Sequence, residues 1–177
     1  MGAPAGVAAS LASEDLTYLD AVVLWSLQAA DIEGLDEVRN ASWRAGRQDP
    51  LLVVGPEGTG TVINAINLAY EQADALRIVE EGMPPGGFDA ALLVGEELRG
   101  HGWVMAYDTG DLRIQVQPQG QVRQPVRIHY ARDVLLVPCG SALEADEASE
   151  TSDEMVIGCT PGEAAWPVTA PVFVVRN

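Results

Sequence analysis

The chain has 177 residues, 47% of them hydrophobic, and a formal net charge of −16 at pH 7. This length and composition predict one domain, residues 1–177, that buries its own core. The negative charge argues against nucleic acids and anionic membranes as partners, because both bind cationic surfaces. No apolar run is long enough to span a bilayer, and the first residues lack the pattern of a signal peptide, so a cytoplasmic location is predicted.

The first half of the chain predicts strands that alternate with helices. Valine-rich and apolar runs indicate buried strands, and apolar residues at intervals of three and four indicate helices. The predicted elements are, in order, a strand over 20–25, a loop over 26–32, a helix over 33–45, a strand over 51–54 and a helix over 59–82. One face of the last helix carries Val62, Ile66, Ala69, Ala73 and Leu76. We expect this face to pack against a sheet.

The turn before this helix, residues 55–61, has the glycine spacing of a phosphate-binding loop. Gly55 and Gly60 stand between a strand and a helix with four residues between them, as in that motif. Thr61 stands where a lysine would contact the terminal phosphates, so the loop offers backbone donors without a charge. Anion binding at Gly55, Gly58, Gly60 and Thr61 is therefore one interpretation. The other is a simple helix start, capped by Thr59 or Thr61.

The second half of the chain predicts short strands joined by turns. Strands are expected over 90–94, 103–107, 112–116, 126–130 and 134–137, followed by an acidic loop over 144–154 and apolar stretches over 155–157 and 171–175. Helices first and a β-meander second indicate an α/β (α+β layered) domain with a mixed sheet.

Residues 21–82 resemble the metallo-β-lactamase fold, in its ribonuclease Z and arylsulfatase-like branch. The likeness is carried by Ile-Glu-Gly-Leu at 32–35, Ser-Trp-Arg-Ala-Gly-Arg at 42–47 and Gly-Pro-Glu-Gly-Thr at 55–59. The resemblance implies a mixed β-sheet sandwich flanked by helices. It also implies a pair of metal ions, zinc being the expected cofactor, that activate water for hydrolysis.

The metal-binding positions of that family are substituted in this chain. The resemblance places them at Ser26, Gln28, Ala30, Asp31 and Cys139. The family has histidines and an aspartate at the first four positions and an aspartate at the fifth. Without histidine the set lacks the nitrogen donors that a zinc pair needs. The prediction is therefore a catalytically inactive protein, without zinc or another cofactor, that acts as a binding or assembly subunit.

The alternative is a hydrolase of esters, lactones or phosphodiesters with a different site. Cys139 would be its nucleophile and His129 its base, near Asp31. A buried thiol and a structural histidine explain Cys139 and His129 without any activity. The sequence leaves both interpretations open. The missing metal ligands favour the catalytically inactive binding or assembly subunit over the hydrolase.

The resemblance also predicts association. In that family strands precede the metal motif, whereas the motif position here begins about 25 residues into the chain, so the opening strands are expected to be absent or short. A sheet without those strands leaves an edge or an apolar face uncovered. We expect a homo-oligomer, most simply a two-fold dimer, or a complex with a protein partner.

Overall fold

The computed structural model describes residues 1–119, 123–137 and the backbone of 154–156. The chain forms two compact units, Met1–Glu97 and Leu98–Asn177. It contains helices, a parallel sheet and a largely antiparallel sheet, so the predicted α/β class is confirmed. The expectation of a single domain over 1–177 stays a prediction.

The first unit is built on a three-stranded parallel sheet with the strand order β1-β2-β3. The strands are β1 (Ala21–Val23), β2 (Leu51–Gly55) and β3 (Leu93–Glu97), and the helices are α1 (Ser13–Thr17), α2 (Ala29–Ile32), α3 (Leu35–Ala45) and α4 (Thr59–Glu81). Short 3-10 helices at Ala8–Ser10 and Asp89–Ala91 precede α1 and β3. In the register of the sheet, Val22 pairs with Val53, and Val53 pairs with Gly95.

Apolar side chains from all three strands, α3 and the start of α4 form the core of this unit. Its buried members are Ala3, Val22, Leu24, Leu35, Val38, Leu51, Val53, Ile63 and Leu93. Burial of such side chains stabilises a domain by roughly 25 cal/mol for each Å² of apolar surface removed from water. A smaller cluster surrounds Trp43, which is fully buried against Ala90 and Ala91.

Several predicted boundaries of the first unit differ from the structure. The strand predicted at 20–25 spans Ala21–Val23, and the helix predicted at 33–45 begins at Leu35. The predicted loop at 26–32 contains the short helix α2. The strand predicted at 90–94 begins three residues later, because the 3-10 helix takes its first residues. The start of β3 is held by α4: Asn67 Nδ2 donates to Leu93 O at 2.9 Å, and Leu93 N donates to Asn67 Oδ1 at 3.0 Å.

The helix α4 begins at the predicted residue and ends at Glu81, one residue before the predicted end. Of its predicted inner face, Val62 and Ile66 are partly buried and pack against the core, and the rest of that face does not. Ile63 and Asp74 are buried, whereas Ala69, Ala73 and Leu76 are exposed, Leu76 by 62%. Asp74 forms a buried ion pair with α3, so the residues on the opposite side of the helix face water.

Although α4 has 23 residues, no helix in the described part of the chain is long and apolar enough to cross a bilayer.

The second unit contains a five-stranded sheet with the strand order β4-β5-β6-β7-β8. Its strands are β4 (Val104–Asp108), β5 (Leu112–Val116), β6 (Val126–Tyr130), β7 (Asp133–Val137) and β8 (Glu154–Val156). The first four form the predicted antiparallel meander, and β8 pairs parallel to β7. The apolar stretch at 171–175 and nearly all of the acidic loop at 144–154 lie outside the described residues.

Candidate functional site

Four of the five positions that the resemblance gives for metal ligands, Ser26, Gln28, Ala30 and Asp31, lie between β1 and α3. The fifth, Cys139, lies outside the described residues. Ser26 Oγ donates a hydrogen bond to Asp31 Oδ2 at 2.5 Å, and both residues are buried. The backbone N–H of Gln28 donates to the same hydroxyl at 3.1 Å. Gln28 and Ala30 themselves are exposed. The four positions therefore divide into a buried pair bonded to each other and two residues that face solvent.

The first residues of the chain run beside this loop and hold its backbone. Ala3 N donates to Asp31 O at 2.6 Å, and Gly34 N donates to Ala3 O at 2.7 Å. A side chain at Gly34 has no room, because an added Cβ would lie 2.2 Å from the carbonyl oxygen of Pro4. The glycine of the matched segment at 32–35 thus allows two backbone segments to meet.

The residues present do not fit the metal pair that the resemblance implies. Zinc in proteins is bound by thiolates, imidazoles and carboxylates. Asp31 is the single side chain of that kind among the four loop positions, and it accepts the hydrogen bond of Ser26. Nowhere in the ranges that the structure describes do three or more His, Cys, Asp or Glu side chains cluster so as to hold a metal ion.

The residues of the alternative hydrolase site are spread over the chain. Asp31 belongs to the first unit and His129 to β6 of the second, while Cys139 lies outside the described residues. His129 is half-buried, and its Nε2 lies 3.1 Å from Gln115 Oε1 on β5. The hydrolase site itself stays a prediction.

The glycine turn before α4 binds a carboxylate of the protein itself. Glu97 Oε1 accepts the backbone N–H groups of Gly58 at 3.0 Å and Gly60 at 3.3 Å. Glu97 reaches this turn because β2 and β3 are parallel neighbours, so their carboxyl ends lie at the same edge of the sheet. Two donors predicted to bind an external anion therefore already face a negative charge.

The other residues of this turn have structural roles or face solvent. Thr59, a predicted cap, is buried, and its hydroxyl donates to Pro56 O at 2.7 Å. An added Cβ at Gly55 would lie 2.5 Å from Thr59 Oγ1, so this glycine allows the start of α4 to approach β2. Thr61, the other predicted cap, is exposed. The predicted threonine cap at this helix start is thus replaced by the Glu97 carboxylate.

The sequence interpretation missed a buried ion pair between α3 and α4. Arg39 and Asp74 are about 1% exposed, and Arg39 Nη2 donates to Asp74 Oδ2. The guanidinium also lies over the ring of Tyr70, 5.1 Å from its centroid. The spacing of residues in α3 could have predicted that Arg39 is buried. Arg39 lies four residues after Leu35, about one helical turn, and therefore on the same buried face of the helix.

Arg47 has a comparable structural role at the end of the segment 42–47. Its Nε donates to Ser42 Oγ at 3.1 Å and its Nη2 to Ala90 O at 2.7 Å, while Nη1 donates to Asp49 O. Burial, and next the positive charge of Arg39, lower the pKa of Arg47 to about 10. Arg47 therefore links the end of α3 to the 3-10 helix that precedes β3.

A cavity of about 270 Å³ opens beside α4. Its apolar walls include Leu68 and Phe88, and its polar groups include Arg39, Glu71 and Asp74. The Arg39 Nε–H has no hydrogen-bond partner among the described residues. The cavity is thus lined on one side by apolar residues and on another by charged ones, of which Arg39 and Asp74 are buried and Glu71 is exposed.

No protein-family model and no curated protein matches the chain. Among solved structures, the chain is similar to the metallo-beta-lactamase fold protein YhfI from Bacillus subtilis, with 15% sequence identity and a TM-score of 0.43. The likeness covers 74% of this chain and 45% of that chain, so the chain spans less than half the length of its neighbour. The ribonuclease Z and arylsulfatase-like branch and the missing opening strands stay predictions.

Proposed function

We propose that the protein is a catalytically inactive relative of the metallo-β-lactamase fold and acts as a binding or assembly subunit. The observation that carries the proposal is the hydrogen bond between Ser26 and Asp31. Asp31 is buried and is the one side chain of a zinc-binding type among the four loop positions, and Ser26 occupies one of its two oxygens. One such carboxylate is too few ligands for a metal pair.

The four substituted positions also lack an imidazole, the side chain that most often serves as a general base near neutral pH. Ser26 as a nucleophile would need a general base that titrates near neutral pH. Gln28 and Ala30 do not ionise, so Asp31 is the one titratable group among the four positions. Hydrolysis at this loop is therefore chemically disfavoured, which supports a binding role.

The first test is elemental analysis of the purified protein. We expect far less than one zinc or iron ion per chain after dialysis, because Asp31 is the one carboxylate among the four substituted positions. Two variants distinguish metal bound at the loop from metal bound by surface carboxylates. Asp31→Asn changes the loop, and Glu96→Gln changes an exposed surface position. Two tightly held metal ions per chain that disappear with Asp31→Asn and persist with Glu96→Gln contradict the proposal.

The second test separates this proposal from the hydrolase alternative. We expect no turnover of ester, lactone or phosphodiester substrates above the buffer rate. Turnover that is lost in Cys139→Ser and in His129→Ala, but kept in His101→Ala, would favour the hydrolase. His101 is the matched control, because it is exposed and lies between glycines.

A further inference from the structure

One side of α4 exposes four apolar residues and a glutamine at heptad spacing. This α4 seam consists of Ala65, Leu68, Gln72, Ala75 and Val79, at alternating intervals of three and four. All five residues are exposed, Leu68 by 73% and Val79 by 84%. The seam covers about four helical turns, or roughly 20 Å. It carries no charged residue.

The spacing of the seam favours a helix as its partner. Intervals of three and four keep one stripe facing a second helix over several turns. The alanines leave gaps between the larger side chains, and a partner helix can place its own side chains there. The opposite side of α4 is already used, because Ile63 lies in the core and Asp74 pairs with Arg39.

The charges beside the seam favour a basic partner. Glu71 and Glu80 are exposed on α4 and flank the seam on its two sides. The one cation of α4, Arg77, is half-buried and lies over the Trp43 ring, 5.9 Å from its centroid. Glu71 also lines the cavity next to Leu68, so a cationic side chain at that point meets a carboxylate beside an apolar wall.

A second copy of the chain fits the seam less well. In a two-fold antiparallel pairing centred on Gln72, the neighbouring Glu71 residues of both copies lie near the centre of the contact. Like charges at that distance are not removed by ordinary salt, which screens beyond about 8–10 Å.

We propose that the α4 seam docks an amphipathic helix of a partner protein, with its apolar face on Leu68 and Val79 and lysine or arginine beside Glu71 and Glu80. The inference rests on the proposed binding role and names its surface and the chemistry of its partner. The partner contributes apolar contact for affinity and positive charge for selectivity.

A pair of synthetic peptides tests the docking of such a helix on the full chain. Both are about three heptads long with leucine at the a and d positions, and they carry either lysine or glutamate at e and g. Binding is measured by fluorescence anisotropy of the labelled peptide. We expect the lysine peptide to bind at least about 10-fold more tightly than the glutamate peptide, because like charges beside Glu71 disfavour the latter.

Three variants with the same added charge locate the binding. Leu68→Glu and Val79→Glu lie in the seam. Tyr18→Glu is the control, because Tyr18 is 80% exposed and lies at the C-terminal end of α1. We expect each seam variant to weaken the lysine peptide about 10-fold, and Tyr18→Glu to leave it unchanged within about twofold. Because all three substitutions make the protein more acidic, purely electrostatic binding would not weaken in any of them.

Several results would overturn the proposal. These are equal affinity for the two peptides, no binding of the lysine peptide, or binding that both seam variants leave intact. A fall from dimer to monomer in Leu68→Glu would also overturn it, since the seam would then join two copies. Circular dichroism checks each variant for folding, and Val79→Glu serves if Leu68→Glu unfolds.

The outcome is separable from that of the proposed function. Metal content and turnover are measured on the same preparations as peptide binding. A chain without metal or turnover that also fails to bind the peptide refutes the seam alone. A chain with turnover and a functional seam refutes the inactive-subunit proposal alone.

Discussion

Arg39 and Asp74 are the two oppositely charged residues that the first unit buries as a pair. Removal of one partner leaves the other charge buried without compensation, so we expect Arg39→Met or Asp74→Leu to lower the free energy of unfolding by about 3 kcal/mol. The double variant should recover most of this loss, because two apolar side chains replace the pair. Urea unfolding measures all three proteins. If each single variant loses no more unfolding free energy than the double variant, a buried unpaired charge is not the cause of the loss.

Tyr70 stabilises the same region in a way that depends on pH. Its hydroxyl donates to Asp36 Oδ2 at 2.5 Å, and this bond is the main cause that raises the pKa of Tyr70. A raised pKa in the folded protein means that the stabilisation is complete below the ordinary tyrosine pKa of about 10 and is lost as pH rises through the raised value. Since the residue is half-exposed, we expect Tyr70→Phe to cost about 1 kcal/mol or less near pH 7.

The pH dependence of this loss is the decisive measurement. The difference in unfolding free energy between the wild type and Tyr70→Phe should shrink above about pH 10. Tyr18→Phe is the control, because Tyr18 is 80% exposed. A difference that stays constant or grows with rising pH would show that the hydrogen bond is not its source.

At the scale of the element, the start of α4 depends on a carboxylate from β3. Glu97 accepts two N–H groups at the positive end of the helix dipole, so Glu97→Gln should lower the free energy of unfolding by about 1 kcal/mol. Glu96→Gln on the same strand is the matched control, because Glu96 is exposed. Equal stability of the two variants would contradict a capping role for Glu97.

The same turn allows a direct test of anion binding. Because Glu97 already accepts the Gly58 and Gly60 N–H groups, we expect ATP and GTP to leave the thermal midpoint of the wild type unchanged. Stabilisation by either nucleotide would favour the predicted anion site at Gly55, Gly58, Gly60 and Thr61.

For the whole molecule, we expect the predicted dimer to form at the edge strand β3 of the parallel sheet. β3 is the last strand of the three-stranded sheet in the described residues, and its Val94 is 49% exposed. An exposed edge strand offers unpaired backbone groups to another chain. The net charge of −16 opposes association, but physiological salt screens it beyond about 8 Å.

Light scattering at physiological salt and micromolar concentration tests this expectation. We expect the mass of a dimer, and a shift toward monomer in Val94→Arg, which places a charge on the edge strand. Leu68→Glu in the α4 seam is the control and should leave the mass unchanged. A monodisperse monomer in the wild type would mean that the chain closes its own core.

The sequence by itself determined the α/β class and, to within one residue, the bounds of α4, because burial patterns and glycine or proline breaks act within a few residues. Through a resemblance it also predicted substituted metal positions, at Ser26, Gln28, Ala30, Asp31 and Cys139. The bond between Ser26 and Asp31 depends on how that loop closes in space.

Only the tertiary structure decided which face of α4 is buried and what caps its first turn. Asp74 meets Arg39 across 35 residues of sequence, and Glu97 meets Gly58 across 39. Spacing along one helix shows which residues share a face. Which face turns inward depends on partners brought together by the register of the parallel sheet and the packing of α3, and these long-range contacts leave no local signal in the chain.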